Sequence, residues 1–163
     1  MAEPYLSFQL GADMYAVGIL SVREIIEYPE LTPVPMAPAA VRGVINLRGA
    51  VVPVVDPQVR FGKPASAPGR RTCIVIVETT LADGSARTAG VVVDAVSEVV
   101  DIAAEDIEPP PTFGTRLRTE LLRGVAKVRG RFVILLDPAP LLDLDLPDEG
   151  DFDPHSLPEP LAA

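Results

Sequence analysis

The chain carries one seventeen-residue pattern twice, which limits its folds more than any other feature. VRGVINLRGAVVPVVDP (41–57) aligns without a gap with LRGVAKVRGRFVILLDP (122–138), at an offset of 81. Eight positions are identical: Arg42/Arg123, Gly43/Gly124, Val44/Val125, Arg48/Arg129, Gly49/Gly130, Val52/Val133, Asp56/Asp137 and Pro57/Pro138. Upstream, VGILSVREII (17–26) matches VVVDAVSEVV (91–100) at an offset of 74, sharing Val-x-Glu and two following apolar residues. A Pro-rich extended segment follows each copy, so the same order of features occurs twice. A two-copy repeat of this length is a small-domain duplication, not a solenoid. Units so small bury a limited core alone, so the two should pack closely or interlock.

Strand signals fill both copies. YLSFQL (5–10) alternates with period two, Gly11-Ala12-Asp13 supplies a turn, and MYAVGI (14–19) returns, which predicts an opening hairpin. Val- and Ile-rich runs follow at 51–55, 73–77, 91–93 and 132–136. A second hairpin is expected from 73–79 and 87–93, which flank Asp83-Gly84-Ser85. Arg-Gly at 48–49 and at 129–130 separates apolar runs and reads as a tight turn, where glycine takes positive φ at little steric cost. Helix candidates are few: 19–26, 56–61, 115–122 and 138–144. Pro33, Pro35 and Pro38 keep an extended stretch from pairing wrongly at a sheet edge. Residues 62–69, GKPASAPG, read as a flexible connector. Short strands with turn signals at this spacing predict an all-β domain of small barrels over 1–146, with a few short helices. The remaining 147–163 form an acidic, Pro-rich tail expected to be disordered.

Composition narrows the function. No window approaches the ~18–20 continuous apolar residues of a membrane span, and MAEPYLSFQL lacks the basic-then-apolar order of a secretory signal. The single Cys73, within TCIVIVE, reads as a buried inert thiol, and a cytoplasmic protein is expected. The net charge of −9 argues against nucleic acid or anionic lipid as the main partner. Five acids (Asp148, Glu149, Asp151, Asp153, Glu159) stand in the tail with no Lys or Arg, which leaves a nearly balanced, Arg-rich body suited to protein contacts.

No enzyme is expected. Asp56 and Asp137 each end an apolar strand, as the carboxylates of an aspartic protease do, and an Asp56/Asp137 hydrolase is the enzymatic alternative. Both, however, precede proline, which suits an N-cap followed by Pro at the first helical position. The single His155 sits in the tail, so no Ser-His-Asp or Cys-His constellation is available in the domain. One His and one Cys make no zinc site, no carboxylate run has calcium-loop spacing, and the glycines match no phosphate or dinucleotide loop. No cofactor and no metal are expected.

Val22-Arg-Glu-Ile25, Gly43-Val-Ile-Asn-Leu-Arg-Gly49, Val52-Pro-Val-Val-Asp56 and Gly90-Val-Val-Val-Asp-Ala-Val-Ser-Glu98, in that order over about residues 4–146, resemble the CheW family of chemotaxis coupling proteins. Asp56-Pro57 departs from the family's usual Asp-Leu, and the tail lies outside the pattern. The resemblance implies two intertwined SH3-like five-stranded β-barrels, the second circularly permuted, with a first unit near 14–72 and a second near 73–146 plus the N-terminal strand. It implies a scaffold that joins a chemoreceptor's cytoplasmic tip to the regulatory domain of the chemotaxis histidine kinase. Such a scaffold would be a monomer when isolated, held in receptor arrays at the inner face of the membrane. The same adaptor in a gliding or pilus-based pathway is the alternative.

The resemblance places Val22, Glu24, Ile25, Gly43, Arg48 and Val99 at the receptor-binding surface and Leu31, Thr32 and Val34 at the kinase-binding surface. Each has a plainer reading. Val22, Ile25 and Val99 are by default core residues, and Gly43, Gly90 and Gly124 backbone requirements. Glu24 and Arg48 could simply pair, since an acid in an apolar context needs a partner. That pairing is compatible with a charge pair shaping a groove that a receptor helix enters. If it forms, the repeat predicts a matching approach of Glu98 and Arg129.

Overall fold

The chain opens with two strands whose sheet is completed only by its last ones. The computed structural model describes residues 2–65, 67–80, 83–109 and 121–143. β1 (Ala2–Leu10) and β2 (Asp13–Gly18) form an antiparallel hairpin. β3 (Val22–Glu27), β4 (Val41–Leu47), β5 (Ala50–Val55), β6 (Cys73–Thr80) and β7 (Ala86–Val93) then build a separate five-stranded sheet, in the order β3-β6-β7-β5-β4. Finally β8 (Ala95–Ala103), β9 (Ile107–Glu108), β10 (Leu122–Val128) and β11 (Arg131–Leu136) enclose the opening hairpin in a six-stranded sheet, β8-β1-β2-β11-β10-β9. Helices α1 (Pro57–Arg60) and α2 (Pro138–Leu142) follow β5 and β11.

The repeat explains both orders. β3 and β8 take the same place, as do β5-β4 and β11-β10, so β6-β7 corresponds to β1-β2. Each sheet has one parallel pair, β5 with β7 and β11 with β2. Each carries a bulge at the same repeat position, between Val41 and Gly43 and between Leu122 and Gly124. Thr32 bridges Val44 where Glu108 of β9 meets Val125. The second copy is therefore circularly permuted, its middle strands lying at the start of the chain. The all-β fold class expected from the sequence is the one observed.

Other expectations change. The helix expected over 19–26 is a 3-10 turn at Ile19–Ser21 that runs into β3. β-branched Val22, Ile25 and Ile26 suit a strand, and pairing with β6 overrides the helix-like spacing. The helices expected at 56–61 and 138–144 form as α1 and α2. The candidate at 115–122 lies outside the described residues but for Leu121 and Leu122, and Leu122 opens β10. Residue 72 is no boundary between sheets: β6 and β7 pair with the strands of the first copy, whereas β2 pairs with those of the second. Cys73 is half-buried, because it begins β6 and pairs only with the ends of β3 and β7.

Three apolar clusters result. Ile45, Val52, Val54, Ile74, Ile76 and Val92 form a cluster on the first sheet. Tyr5, Ala16, Val100, Ile102, Ala126, Val133 and Leu135 do the same on the second. The largest lies between the sheets, where Leu6, Phe8, Tyr15 and Val17 meet Val75, Val77, Val91 and Val93. Central strands bury both faces, which is why 73–77 reads as a continuous apolar run and not an alternating one. Polar contacts also join the copies. Buried Arg60 of α1 donates from Nη2 to the carbonyls of Pro140 (2.7 Å) and Asp143 (3.2 Å), at the end of α2. Phe61 stacks on Tyr15 at 5.6 Å between centroids, and burial pushes the Tyr15 hydroxyl up to about 12.

Candidate functional site

The turn between β4 and β5 is a two-residue loop, with Leu47 opposite Ala50. Arg48 (φ 52) and Gly49 (φ 89) both adopt positive φ, the requirement of a type I′ hairpin whose twist matches its strands. Asn46 Oδ1 accepts the Gly49 N–H at 2.9 Å and steadies the turn. The exposed Arg48 guanidinium then reaches Glu24 of β3, donating from both terminal nitrogens to both carboxylate oxygens. These hydrogen bonds hold the Glu24 carboxyl below the usual carboxylate range. A bidentate guanidinium–carboxylate pair adds geometric definition that a point charge would not.

The pair also reports the shape of its sheet. β3 stands three places from β5 and four from β4. In a flat sheet with strands about 4.8 Å apart these would be roughly 14–19 Å away, beyond the reach of the two side chains together. The sheet must curl until its ends approach. The second sheet repeats the device. Arg129 (φ 51) and Gly130 (φ 80) make the same turn, and Arg129 Nη1 donates to Glu98 Oε2 of β8. The approach of Glu98 and Arg129 expected from the repeat is thus observed, although the two repeat blocks have different offsets.

The remaining predicted site residues divide among several environments. Ile25 and its repeat counterpart Val99 stand 43% and 53% exposed on the edge strands β3 and β8, so neither is a core residue. Each directly follows the Glu of its ion pair. Val22 is half-buried and packs against the core between the sheets. Gly43 is buried, and a Cβ there would meet Thr32 O at 2.7 Å and Leu31 Cβ at 3.0 Å. One residue expected at the receptor surface therefore touches two expected at the kinase surface. Leu31 packs against the first sheet's core, Thr32 is exposed but exchanges two backbone hydrogen bonds with Val44, and Val34 is exposed. Gly90 and Gly124 are close approaches too, to Ile74 Cγ2 and Glu108 O.

Exposed Leu20, Met36, Val51 and Phe132 were not anticipated. A signal existed for two of them: Val51 and Phe132 occupy one repeat position, three residues beyond each turn arginine.

Asp56 and Asp137 cap their own helices. Asp56 Oδ1 accepts the Gln58 N–H at 2.9 Å and Asp137 Oδ1 the Ala139 N–H at 3.2 Å. Asp56 is further held by Arg42 at 3.2 Å. Burial nevertheless raises its pKa, against the opposing pull of the Gln58 N–H and the Arg42 charge. No hydrogen bond joins the two carboxylates, so the shared proton of an aspartic dyad has no place here. Among the described residues no His/Cys/Asp/Glu group could hold a metal, and no helix is long and apolar enough to cross a membrane.

Comparison with known proteins places this architecture. The model of the CheW-like domain matches residues 4–145. Chemotaxis protein CheW of Rhizobium meliloti is 38% identical over 144 residues, covering 88% of this chain and 87% of that protein. Protein FrzA of Myxococcus xanthus is 32% identical over 128 residues, with coverage of 78% and 76%. The crystal structure of the scaffolding protein TtCheW from Thermoanaerobacter tengcongensis superposes with a TM-score of 0.76 at 33% identity, covering 86% of this chain and 88% of that one.

Proposed function

The chain belongs to the CheW-like family, and from that premise we propose that it is a non-catalytic chemotaxis coupling protein that links chemoreceptors to the chemotaxis histidine kinase. One observation carries the reading: the family match spans both interlocked sheets, so the likeness extends to the whole scaffold and not to one strand motif. Two partners held on one rigid body raise each other's local concentration and fix their relative orientation. No covalent step is required. The protein is a monomer when isolated and works within receptor arrays at the inner, cytoplasmic face of the membrane.

The receptor tip binds beside the Glu24–Arg48 pair, against Val22, Ile25 and Val99, with Gly43 setting the backbone. The kinase regulatory domain binds at Leu31, Thr32 and Val34. Exposed aliphatic Ile25 next to an ordered charge pair supports the first assignment. The close approach of Leu31 and Thr32 to Gly43 supports two surfaces that adjoin. A second reading, the same adaptor role in a gliding or pilus-based pathway, takes its support from the likeness to FrzA. Deleting the gene and scoring swimming against surface motility separates the two pathways.

Arg48→Glu tests the site. A second carboxylate beside Glu24 replaces attraction with repulsion, and loss of an interfacial Arg costs about tenfold or more in affinity. By calorimetry the folded variant should lose receptor-tip binding to that extent while binding the kinase regulatory domain normally. An equal loss of both affinities would refute separate surfaces, and a wild-type chain that binds neither partner would refute the coupling role.

A further inference from the structure

One hairpin differs from its repeat twin in charge. The first tip reads Asn46-Leu47-Arg48-Gly49-Ala50-Val51, the second Lys127-Val128-Arg129-Gly130-Arg131-Phe132. Lys127, Arg129 and Arg131 are all exposed, and Phe132 shows 65% of its surface to solvent. Glu98 neutralises Arg129; among the described residues neither Lys127 nor Arg131 has an ion-pair partner. Lys127 Nζ lies 5.9 Å from the centre of the Phe132 ring, so cationic and aromatic surface form one patch. Folding leaves most of this ring and both unpaired cations in solvent, where they suit a ligand that is both acidic and aromatic.

The chain itself carries such a ligand. The tail holds Asp148, Glu149, Asp151, Asp153 and Glu159 without Lys or Arg, and Asp151-Phe152-Asp153 sets a ring between two carboxylates. The tail follows β11 and α2, so it starts from the same sheet as the hairpin. β11 separates the hairpin tip from α2 by roughly 17 Å. The stretch from Asp143 to Asp151 can extend to about 27 Å, long enough to return to the tip. Most of it also lies beyond residues 4–145, the part matched by the family.

We propose that the tail segment 148–153 docks in cis on the cationic, aromatic face of the β10–β11 hairpin and shields it from other acidic partners. Exposed ion pairs are weak one at a time. A tethered segment, however, acts at an effective concentration in about the millimolar range, so linkage sustains what the contacts alone would not. The association must weaken with salt, because the screening length falls from about 10 Å at 0.1 M to about 3 Å at 1 M. None of this depends on which partners the body couples.

Amide chemical shifts test it. At about 20 mM salt, the full chain is compared with a chain ending after Leu146 and with a full chain carrying Asp148→Asn, Glu149→Gln, Asp151→Asn and Asp153→Asn. Both variants should move the amides of 127–132 and leave those of 46–51 unmoved. The differences should fade near about 0.5 M salt and persist unchanged on dilution of the protein. Identical hairpin amides in all three chains at low salt would overturn the proposal. A difference that vanishes on dilution would overturn it too, since the tail would then sit on a second copy.

Discussion

At Arg48 one residue meets two demands that usually fall to different residues. Its backbone adopts the positive φ of the turn, which most side chains avoid, while its guanidinium closes on Glu24. Asn or Gly would suit the turn better, so the arginine is there for its side chain. Arg129 and Glu98 repeat the compromise. The pair should be visible in the titration of Glu24. In the Arg48→Gln variant the Glu24 pKa, followed by carboxyl NMR, should rise back to the ordinary carboxylate range. Because the folded-state pKa is lowered, the pair's contribution to stability is present above the ordinary carboxylate pKa. It is lost as pH falls through the lowered one. A Glu24 titration unchanged in the variant would show that Arg48 does not hold the carboxylate in solution.

The hairpin with its bulge is the element that both copies preserve most closely. In β4 and β10 the bulge glycine lets a crossing backbone approach to within a Cβ's own space, with Thr32 O at 2.7 Å from such an atom at Gly43 and Glu108 O at 2.6 Å at Gly124. Backbone cannot swing aside as a side-chain end can. Gly43→Ala and Gly124→Ala should each lower stability by about 1–3 kcal/mol in denaturant titrations, as forced methyl groups do. Gly49→Ala meets nothing within 4 Å and is limited to the backbone cost of its φ of +89, about 1 kcal/mol. An order of effects with Gly49→Ala worst would show that the turn, not the crossing, sets the glycine requirement.

For the whole molecule the permutation has a mechanical consequence. β1 and β2 stand between β8 and β11, so the second sheet has no continuous ladder until the two ends of the domain meet. A chain lacking residues 1–12 loses β1 entirely and should show no cooperative thermal transition, because Leu6, Phe8 and Leu10 also leave the largest core. A normal transition in that chain would mean that the sheets fold independently. The opposite end should be dispensable. Ending the chain after Leu146 should move the melting temperature by about 2 °C or less, by calorimetry, since the tail interaction proposed above is weak and electrostatic; a drop of many degrees would mean that the tail is part of the core.

Legibility in the sequence followed the range of the interactions. The repeat, the hairpins at 5–19 and 73–93, the Arg-Gly turns and the Asp-Pro helix starts all rest on neighbours a few residues apart, and each could be read from the chain. Even the Glu98–Arg129 contact, 31 residues apart, was legible, because the repeat carried it over from Glu24 and Arg48. The tertiary structure alone decided which strands adjoin. Apolar content shows that 22–27 and 73–77 have surface to bury but not what faces it, so 19–26 resembled a helix until β6 claimed its edge. For the same reason Gly43, expected at a receptor surface, proved to be buried beneath Leu31 and Thr32. Burial of both strand faces erases the period that distinguishes inside from outside. Which apolar residues remain exposed, Ile25 and Val99 among them, is settled only when the two sheets close on each other.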